Sequence, residues 1–201
     1  MNNTDDYSDS QINEDSNAFC YRGSKDISSF EIPNNFKEIG EFSFVGCTSL
    51  TNIIIPNSVT KINKYAFSDC SSLTNIIIPN NVTEIGENAF SKCSSLTNIT
   101  IPNSVIFIGD GAFSYCKSFT NIKIPSNIEF IGKSAFLGCS SLENITIPNV
   151  VEIIKRNVLF GETILNGIEL PESIKILKRF IMHFQIVHPL KILQFQIALH
   201  I

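Results

Sequence analysis

Cysteine is the residue type with the clearest chemical potential in this chain of 201 residues, which contains six of them. Five recur at a constant spacing of 23 residues, at Cys47, Cys70, Cys93, Cys116 and Cys139. A zinc site needs ligands that converge tetrahedrally, and a straight row of equally spaced thiols does not supply that geometry. Stacked repeats would bring neighbouring cysteine Cα atoms to about 5 Å, within disulfide range, but with parallel side chains. We therefore expect reduced cysteines that pack in the core as small hydrophobic residues.

Histidine is the other residue type that could support catalysis or bind a metal, and all three lie near the end of the chain, at His183, His188 and His200. A Cys–His or Ser–His nucleophile pair would need a histidine beside the repeated cysteines, and the repeats contain none. No phosphate-binding glycine loop and no H-E-x-x-H motif is present. Carboxylates such as Glu38 and Glu84 could meet between repeats, but we expect them to be solvated. We expect no enzymatic activity, no cofactor and no metal; an enzyme would require that the C-terminal histidines assemble a site.

The elements that position these cysteines are set by a repeat of 23 residues. Prolines mark the start of each unit, at Pro33, Pro56, Pro79, Pro102, Pro125, Pro148 and Pro171. One unit spans 79–101 and ends in the apolar pattern Leu96, Ile99, Ile101. A period of this length with that pattern is typical of leucine-rich repeats. Ile99 and Ile101 should point inward and Thr100 outward, as in a strand, and stacked units would pair these strands in parallel at about 4.8 Å.

The rest of each unit should turn back along a second side. We expect a second short strand at 82–85 and a single helical or 3₁₀ turn at 88–92, since that segment is too short for more. In the five regular units the slot of Gly86 holds glycine or asparagine, which indicates a left-handed residue; its other members there are Gly40, Asn63, Gly109 and Gly132. Phenylalanine fills one inward position in five units and should form a stacked ladder in the core: Phe44, Phe67, Phe90, Phe113 and Phe136.

The predicted fold is a leucine-rich-repeat solenoid. It is a right-handed, β-rich coil with a parallel sheet on one face, and short second strands and single helical or 3₁₀ turns on the other. We divide the chain into an acidic disordered tail at 1–17, an N-terminal capping coil at 18–32, the solenoid at 33–180, and an irregular C-terminal cap or weakly folded tail at 181–201. In the capping coil, Ala18–Phe19 lies two residues too early to match the Ala-Phe pair of the other units.

The charge distribution argues against nucleic acid as a partner. The net charge of −4 is concentrated in the tail, because 1–17 carries five acidic residues and no Lys or Arg. The remaining chain is nearly neutral and lacks the basic surface that phosphate binding requires. We find no apolar segment of the signal-peptide type and no run of 18 apolar residues, so we expect neither an export signal nor a membrane span.

The recurring motif IPNSVxxIGxxAFSxCSSLTNIxI resembles the BspA-like leucine-rich repeats of bacterial and protist surface proteins. The resemblance covers about 27–180, with proline, glycine, Ala-Phe, cysteine and strand all in register. It implies an adhesion or surface-antigen-like protein that binds a protein or another macromolecule and has no enzymatic activity. Because the chain lacks a recognisable signal peptide and anchor, an intracellular adaptor is the alternative. The location expected from the missing signal is cytoplasmic, and that expected from the resemblance is the cell surface.

The expected binding surface is the outward side of the leucine-rich strands, where equivalent residues align in rows. One row contains Ile54, Ile77, Thr100, Lys123 and Thr146, and a second contains Asn52, Asn75, Asn98, Asn121 and Asn144. The asparagines could instead form a hydrogen-bonded amide ladder, as in stacked sheets. Neighbouring outward apolar residues mark an interaction patch, which makes Ile54 and Ile77 the expected centre. The alternative is that these two residues simply favour the strand conformation.

Overall fold

A computed structural model of the chain describes residues 17–21, 23–146 and 148, together with the backbone of 153–154 and 167–169. The predicted acidic tail, apart from Asn17, and the predicted C-terminal segment 181–201 lie outside these residues, as do the three histidines. Within the described part the chain winds into stacked coils, and each coil contains two short strands joined by turns.

The strands differ in length between the two sides of each coil. In chain order they are β1 (Ala18–Phe19), β2 (Ser29–Glu31), β3 (Glu38–Ile39), β4 (Asn52–Ile54), β5 (Lys61–Ile62), β6 (Asn75–Ile77), β7 (Glu84–Ile85), β8 (Asn98–Thr100), β9 (Phe107–Ile108), β10 (Asn121–Lys123), β11 (Phe130–Ile131), β12 (Asn144–Thr146), β13 (Ile153–Ile154) and β14 (Gly167–Glu169). We call the outward side of the three-residue, even-numbered strands the front face. The outward side of the two-residue, odd-numbered strands is the back face.

The three-residue strands alternate between the core and solvent. In β8 the side chain of Ile99 is buried, whereas Asn98 and Thr100 are exposed, because successive strand residues point to opposite sides. Neighbouring strands pair in parallel with an offset of one repeat, so that Asn98 lies opposite Asn75. The predicted parallel strands are therefore confirmed.

The continuous sheet lies on the back. The seven odd-numbered strands form one parallel sheet, whereas the front strands are divided into three ladders, β2–β4, β6–β8 and β10–β12–β14. The expected short second strands are thus present, and they carry the unbroken hydrogen-bonded connection between coils.

The expected helical or 3₁₀ turn at 88–92 is not found, and the described residues contain no helix. Along this segment the backbone N–H groups donate in turn to the next coil and within their own coil. Those of Ser91 and of Cys93, the residue after the segment, donate within the same coil to carbonyls three residues earlier. In contrast, the N–H groups of Asn88, Phe90 and Lys92 donate to the next coil at 2.7–2.8 Å. A helix needs consecutive N–H groups to bond within it, so the stacking of coils favours a series of turns instead.

The prediction that the glycine slot needs a left-handed residue is wrong. Positive φ occurs two and six residues after Gly86, at Asn88 (φ 51°) and Lys92 (φ 61°), and at equivalent positions of other coils. The glycine row serves close packing between coils. A Cβ atom on Gly109 would lie 2.6 Å from the backbone nitrogen of Glu87 in the preceding coil.

The predicted phenylalanine ladder is confirmed. All five side chains are fully buried. Consecutive ring centroids are 5.2–5.5 Å apart, and the ring planes are parallel to within 11°. Each coil therefore presents a flat apolar ring to the next, which ties the coils into one continuous core.

In the first coil the aromatic ladder is continued by Tyr21 and not by an Ala-Phe pair. Ala18–Phe19 pairs with Glu38–Ile39 as a back strand, so it is not a displaced copy of the Ala-Phe pair. Tyr21, which precedes Phe44 by one repeat, stacks on that ring at 5.1 Å and 12°. Thus an aromatic ring covers the N-terminal face of Phe44 at the position that the repeat predicts.

The five repeated cysteines are buried free thiols, as the sequence predicts. Each of the last four donates from Sγ to the carbonyl of a ladder phenylalanine in the preceding coil; Cys93, for example, donates to Phe67 at 3.1 Å. Burial raises the pKa of Cys70 to about 12 and holds those of Cys93 and Cys116 well above their ordinary value. These thiols therefore stay protonated, as their donor role requires.

We expect the ladder cysteines to react slowly with a thiol reagent such as dithionitrobenzoate in the native protein. The thiolate is the reacting species, and a pKa of about 12 instead of 9.0 lowers the thiolate fraction of Cys70 roughly a thousandfold. Half-buried Cys20 should react first, so a timed titration of the native protein should show one fast-reacting thiol. Titration after unfolding should show all six. Cys20→Ser should remove the fast phase. Rapid labelling of five thiols without denaturant would contradict their position in the core.

Candidate functional site

The front face carries two exposed isoleucines. Ile54 is 51% exposed and Ile77 is 83% exposed. Their outward direction follows from the strand alternation, because Ile53 and Ile76, the preceding residues, are buried. β4 and β6 lie next to each other but belong to different ladders. The two isoleucines therefore occupy equivalent positions in consecutive coils and are not cross-strand partners.

All ten residues predicted to form the binding face are exposed on the front. They are Ile54, Ile77, Thr100, Lys123 and Thr146 in one row, and Asn52, Asn75, Asn98, Asn121 and Asn144 in the other. The strand register brings Ile77 opposite Thr100 and Lys123 opposite Thr146. Ile54 lies opposite Glu31. The apolar part of this row is therefore flanked by a carboxylate on one side and a threonine on the other.

The asparagine row does not form a continuous amide ladder in the described residues. Asn144 donates to the side-chain oxygen of Asn121 at 2.7 Å. Asn75 and Asn98 instead donate to the hydroxyl of the threonine that precedes each of them, at 3.4 and 3.3 Å. Most of these amides thus bond locally, and their side chains stay exposed to solvent.

A groove on the back face was not predicted from the sequence. It has a volume of about 400 Å³ and crosses five coils, lined by Glu41, Asn63, Lys64, Glu84, Gly86, Glu87, Phe107, Gly109, Asp110 and Phe130. The glycine row forms its floor. One wall is the row of residues that follow these glycines, and the other wall is the outward row of the back strands. Its signal in the sequence is an outward phenylalanine directly before a buried isoleucine, as in Phe107–Ile108.

The outward residues of the back strands change from charged to aromatic along the solenoid. Lys61 forms an ion pair with Glu84 at 2.8 Å, and the hydrogen bond within this pair raises the pKa of Lys61. Glu38 lies on the other side of Lys61 and accepts a hydrogen bond from Asn63 at 2.8 Å. Glu38 and Glu84 therefore do not form a carboxylate pair, because the strand of Lys61 separates them.

Two other features bear on function. No three His, Cys, Asp or Glu side chains among residues 17–21 and 23–146 are grouped so that they could hold a metal ion. In the part of the chain that the structure describes, no helix has the length and hydrophobicity needed to cross a membrane.

Stacked coils with parallel strands on two sides and a buried aromatic ladder define a leucine-rich-repeat solenoid, a class generally used as a scaffold for protein binding or surface display. The family can be stated as well. The sequence profile of the BspA type leucine rich repeat region matches in six copies, over residues 14–139 and 60–185. The chain belongs to this BspA-type leucine-rich repeat family.

Solved structures agree with this assignment. A leucine-rich repeat protein from Bacteroides ovatus is 35% identical, with a TM-score of 0.72 over 78% of this chain and 42% of its own. One from Eubacterium ventriosum is 26% identical, with a TM-score of 0.67 over 79% of this chain and 43% of its own. The T. pallidum leucine rich repeat protein is also 26% identical, with a TM-score of 0.67 and coverage of 85% and 88%. The chain thus spans less than half the length of the first two. Among curated proteins no relative matches the chain.

Proposed function

We propose that this protein is a non-enzymatic binding scaffold, adhesion- or surface-antigen-like, that recognises a protein or another macromolecule through its front face. The observation that carries the proposal is the exposure of Ile54 and Ile77 on neighbouring coils of that face. Two large apolar side chains on a rigid scaffold offer area that a partner can bury without ordering a loop. Full burial of an isoleucine contributes about 1.5–3 kcal/mol.

The surroundings of the two isoleucines suit a macromolecular surface. Asn52 and Asn75 flank them with exposed amides, which can donate and accept hydrogen bonds at the rim of an interface. In the same row the next residue is Thr100, and the ammonium of Lys123 lies one coil further. Little charge would have to be desolvated at the centre of the contact, and the rows are long enough to meet an extended partner surface.

Ile54→Glu combined with Ile77→Glu should reduce binding at least about tenfold, because each change places a carboxylate where an apolar contact is expected. The measurement is dose-dependent retention of the purified protein on wells coated with a matrix-protein extract, and circular dichroism should stay unchanged. Ile106→Glu is the matched control, since Ile106 is 40% exposed but lies off the front face. A folded double variant that binds as well as the wild type would exclude the front face.

The intracellular adaptor is separated from the adhesion protein by location. We expect protease treatment of intact cells to cleave an adhesion protein and to leave an adaptor intact. The same double variant serves both cases, because the proposed contact surface is the same.

A further inference from the structure

The groove on the back face differs from the front face in both charge and shape. Its lining contains four carboxylates, from Glu41, Glu84, Glu87 and Asp110, and one ammonium, from Lys64. The volume of about 400 Å³ is in the range of sites that hold a small molecule or a few side chains. At Gly86 and Gly109 the floor has no side chain to fill the space between the two walls.

Two of these four carboxylates form ion pairs with lysines, whereas that of Asp110 accepts a backbone hydrogen bond. Lys61 pairs with Glu84 at 2.8 Å, and Lys64 pairs with Glu87 at 2.9 Å. Asp110 forms no ion pair in the described residues; its Oδ1 accepts the backbone N–H of Lys133 at 2.7 Å. This hydrogen bond orients the carboxylate and leaves its second oxygen for a cationic ligand.

Two stacked aromatic rings line the same groove as Asp110. Phe107 and Phe130 stack at 4.7 Å with ring planes parallel to within 2°, and both lie in the groove wall. Within the described part of the chain, Phe130 is the only ring that stacks on Phe107. On the other side the row continues with Glu84, whose carboxylate pairs with Lys61 at 2.8 Å. One face of the Phe107 ring is therefore not covered by another ring, unlike the faces of the core ladder.

A planar cation fits this combination of a ring face without an aromatic neighbour and a carboxylate held by a hydrogen bond. A guanidinium stacks on an aromatic face and donates parallel hydrogen bonds to a carboxylate, whereas an ammonium has no planar face to stack. An anion would meet four carboxylates, and a neutral ligand would not use their charge. The groove also crosses five coils, about 19 Å at the spacing of stacked strands, which accommodates five or six residues of extended chain.

We propose that the back groove binds an arginine-bearing extended segment of a partner protein, with the guanidinium stacked on Phe107 and hydrogen-bonded to Asp110. Glu41, which lines the same groove and forms no ion pair among the described residues, adds to the negative potential. This site lies on the opposite side of the coils from the front face and does not depend on the function proposed there.

The test uses three fluorescein-labelled peptides, Gly-Gly-Arg-Gly-Arg-Gly-Gly and its citrulline and lysine counterparts, titrated with the full chain by fluorescence anisotropy. We expect the arginine peptide to bind about tenfold more tightly than the citrulline peptide and about threefold more tightly than the lysine peptide. Equal binding of the arginine and citrulline peptides, or of the arginine and lysine peptides, would overturn the proposal.

Two variants locate the contact. Phe107→Leu should weaken binding of the arginine peptide about fivefold, and Asp110→Asn about threefold, since the amide keeps the acceptor for Lys133 but loses the charge. Tyr115→Leu removes an exposed aromatic ring outside the groove and should leave affinity unchanged, as should Ile54→Glu with Ile77→Glu. If Phe107→Leu fails to fold by circular dichroism, Asp110→Asn decides. Unchanged affinity in a folded groove variant would reject the site.

Discussion

Phe90→Ala should lower the free energy of unfolding by about 3–5 kcal/mol. Its side chain is fully buried, and its ring stacks on Phe67 at 5.2 Å and on Phe113 at 5.4 Å. Truncation would leave a cavity between two parallel rings that cannot close without shortening the stack. Since most domains are stable by only about 5–15 kcal/mol, this loss is a large share of the total.

The damage from Phe90→Ala should extend beyond its own coil. In a solenoid each repeat contacts only its neighbours, so stability is the sum of repeat and interface contributions. The substitution weakens two interfaces at once, those with Phe67 and Phe113. We expect faster amide exchange in the coils on both sides as well as in the substituted coil.

Phe130→Ala is the matched control for Phe90→Ala. Phe130 stacks on Phe107 in a similar parallel geometry, but it is half-buried on the back face. This substitution should lower the free energy of unfolding by about 2 kcal/mol, because it removes one aromatic pair and a ring that is only half-buried. Guanidinium titration of both variants by circular dichroism measures the difference. A loss below about 1 kcal/mol for Phe90→Ala would be incompatible with a ladder that supports the core.

The ladder was predictable because inward positions obey the repeat. A residue such as Phe90 must fill the same space in every coil. Its recurrence every 23 residues therefore indicates that it is buried between equivalent residues of the neighbouring coils. The alternation that exposes Ile77 was predictable for the same reason, since strand geometry decides which residue faces out. The two-sided coil and the buried cysteines followed from the same periodicity.

The groove was not predictable in the same way. Outward positions are free to differ between coils, and the row of the back strands passes from Glu84 to Phe107 without any change in period. What makes the site is the stacking of Phe107 on Phe130 together with the hydrogen bond that orients Asp110. The period of 23 residues places these residues next to each other, but it does not show whether two rings stack or whether a side-chain oxygen accepts a hydrogen bond.

The failed expectations have a related cause. A helical turn at 88–92 was expected from the length of the segment, but hydrogen bonds to the next coil take every second N–H group. A left-handed residue was expected at Gly86 from its glycine-or-asparagine composition. A glycine can be required because its φ is positive or because there is no room for a side chain, and composition alone does not distinguish the two.

Gly109→Ala separates these two explanations, and we expect it to destabilise the protein by about 2–3 kcal/mol. The added methyl would lie 2.6 Å from the nitrogen of Glu87 and 2.7 Å from the carbonyl carbon of Gly86, both backbone atoms that no rotamer change can move. The coils would have to separate locally, lengthening the hydrogen bond from Gly109 N–H to Ile85, now 2.8 Å. Urea denaturation followed by circular dichroism measures the loss.

Gly46→Ala is the contrasting variant, because Gly46 has a φ of +71° and its added methyl group would have no neighbouring atom within 4 Å. Its cost should be about 1 kcal/mol, from the left-handed conformation alone. Asn63 shows that the glycine slot admits a side chain where its amide gains a hydrogen bond to Glu38, a compensation that alanine cannot make. Gly109 also has glycine in the same slot of both adjacent coils, at Gly86 and Gly132, so the close spacing continues on both sides. A larger loss for Gly46→Ala than for Gly109→Ala would show that backbone conformation, and not the distance between coils, governs these glycines.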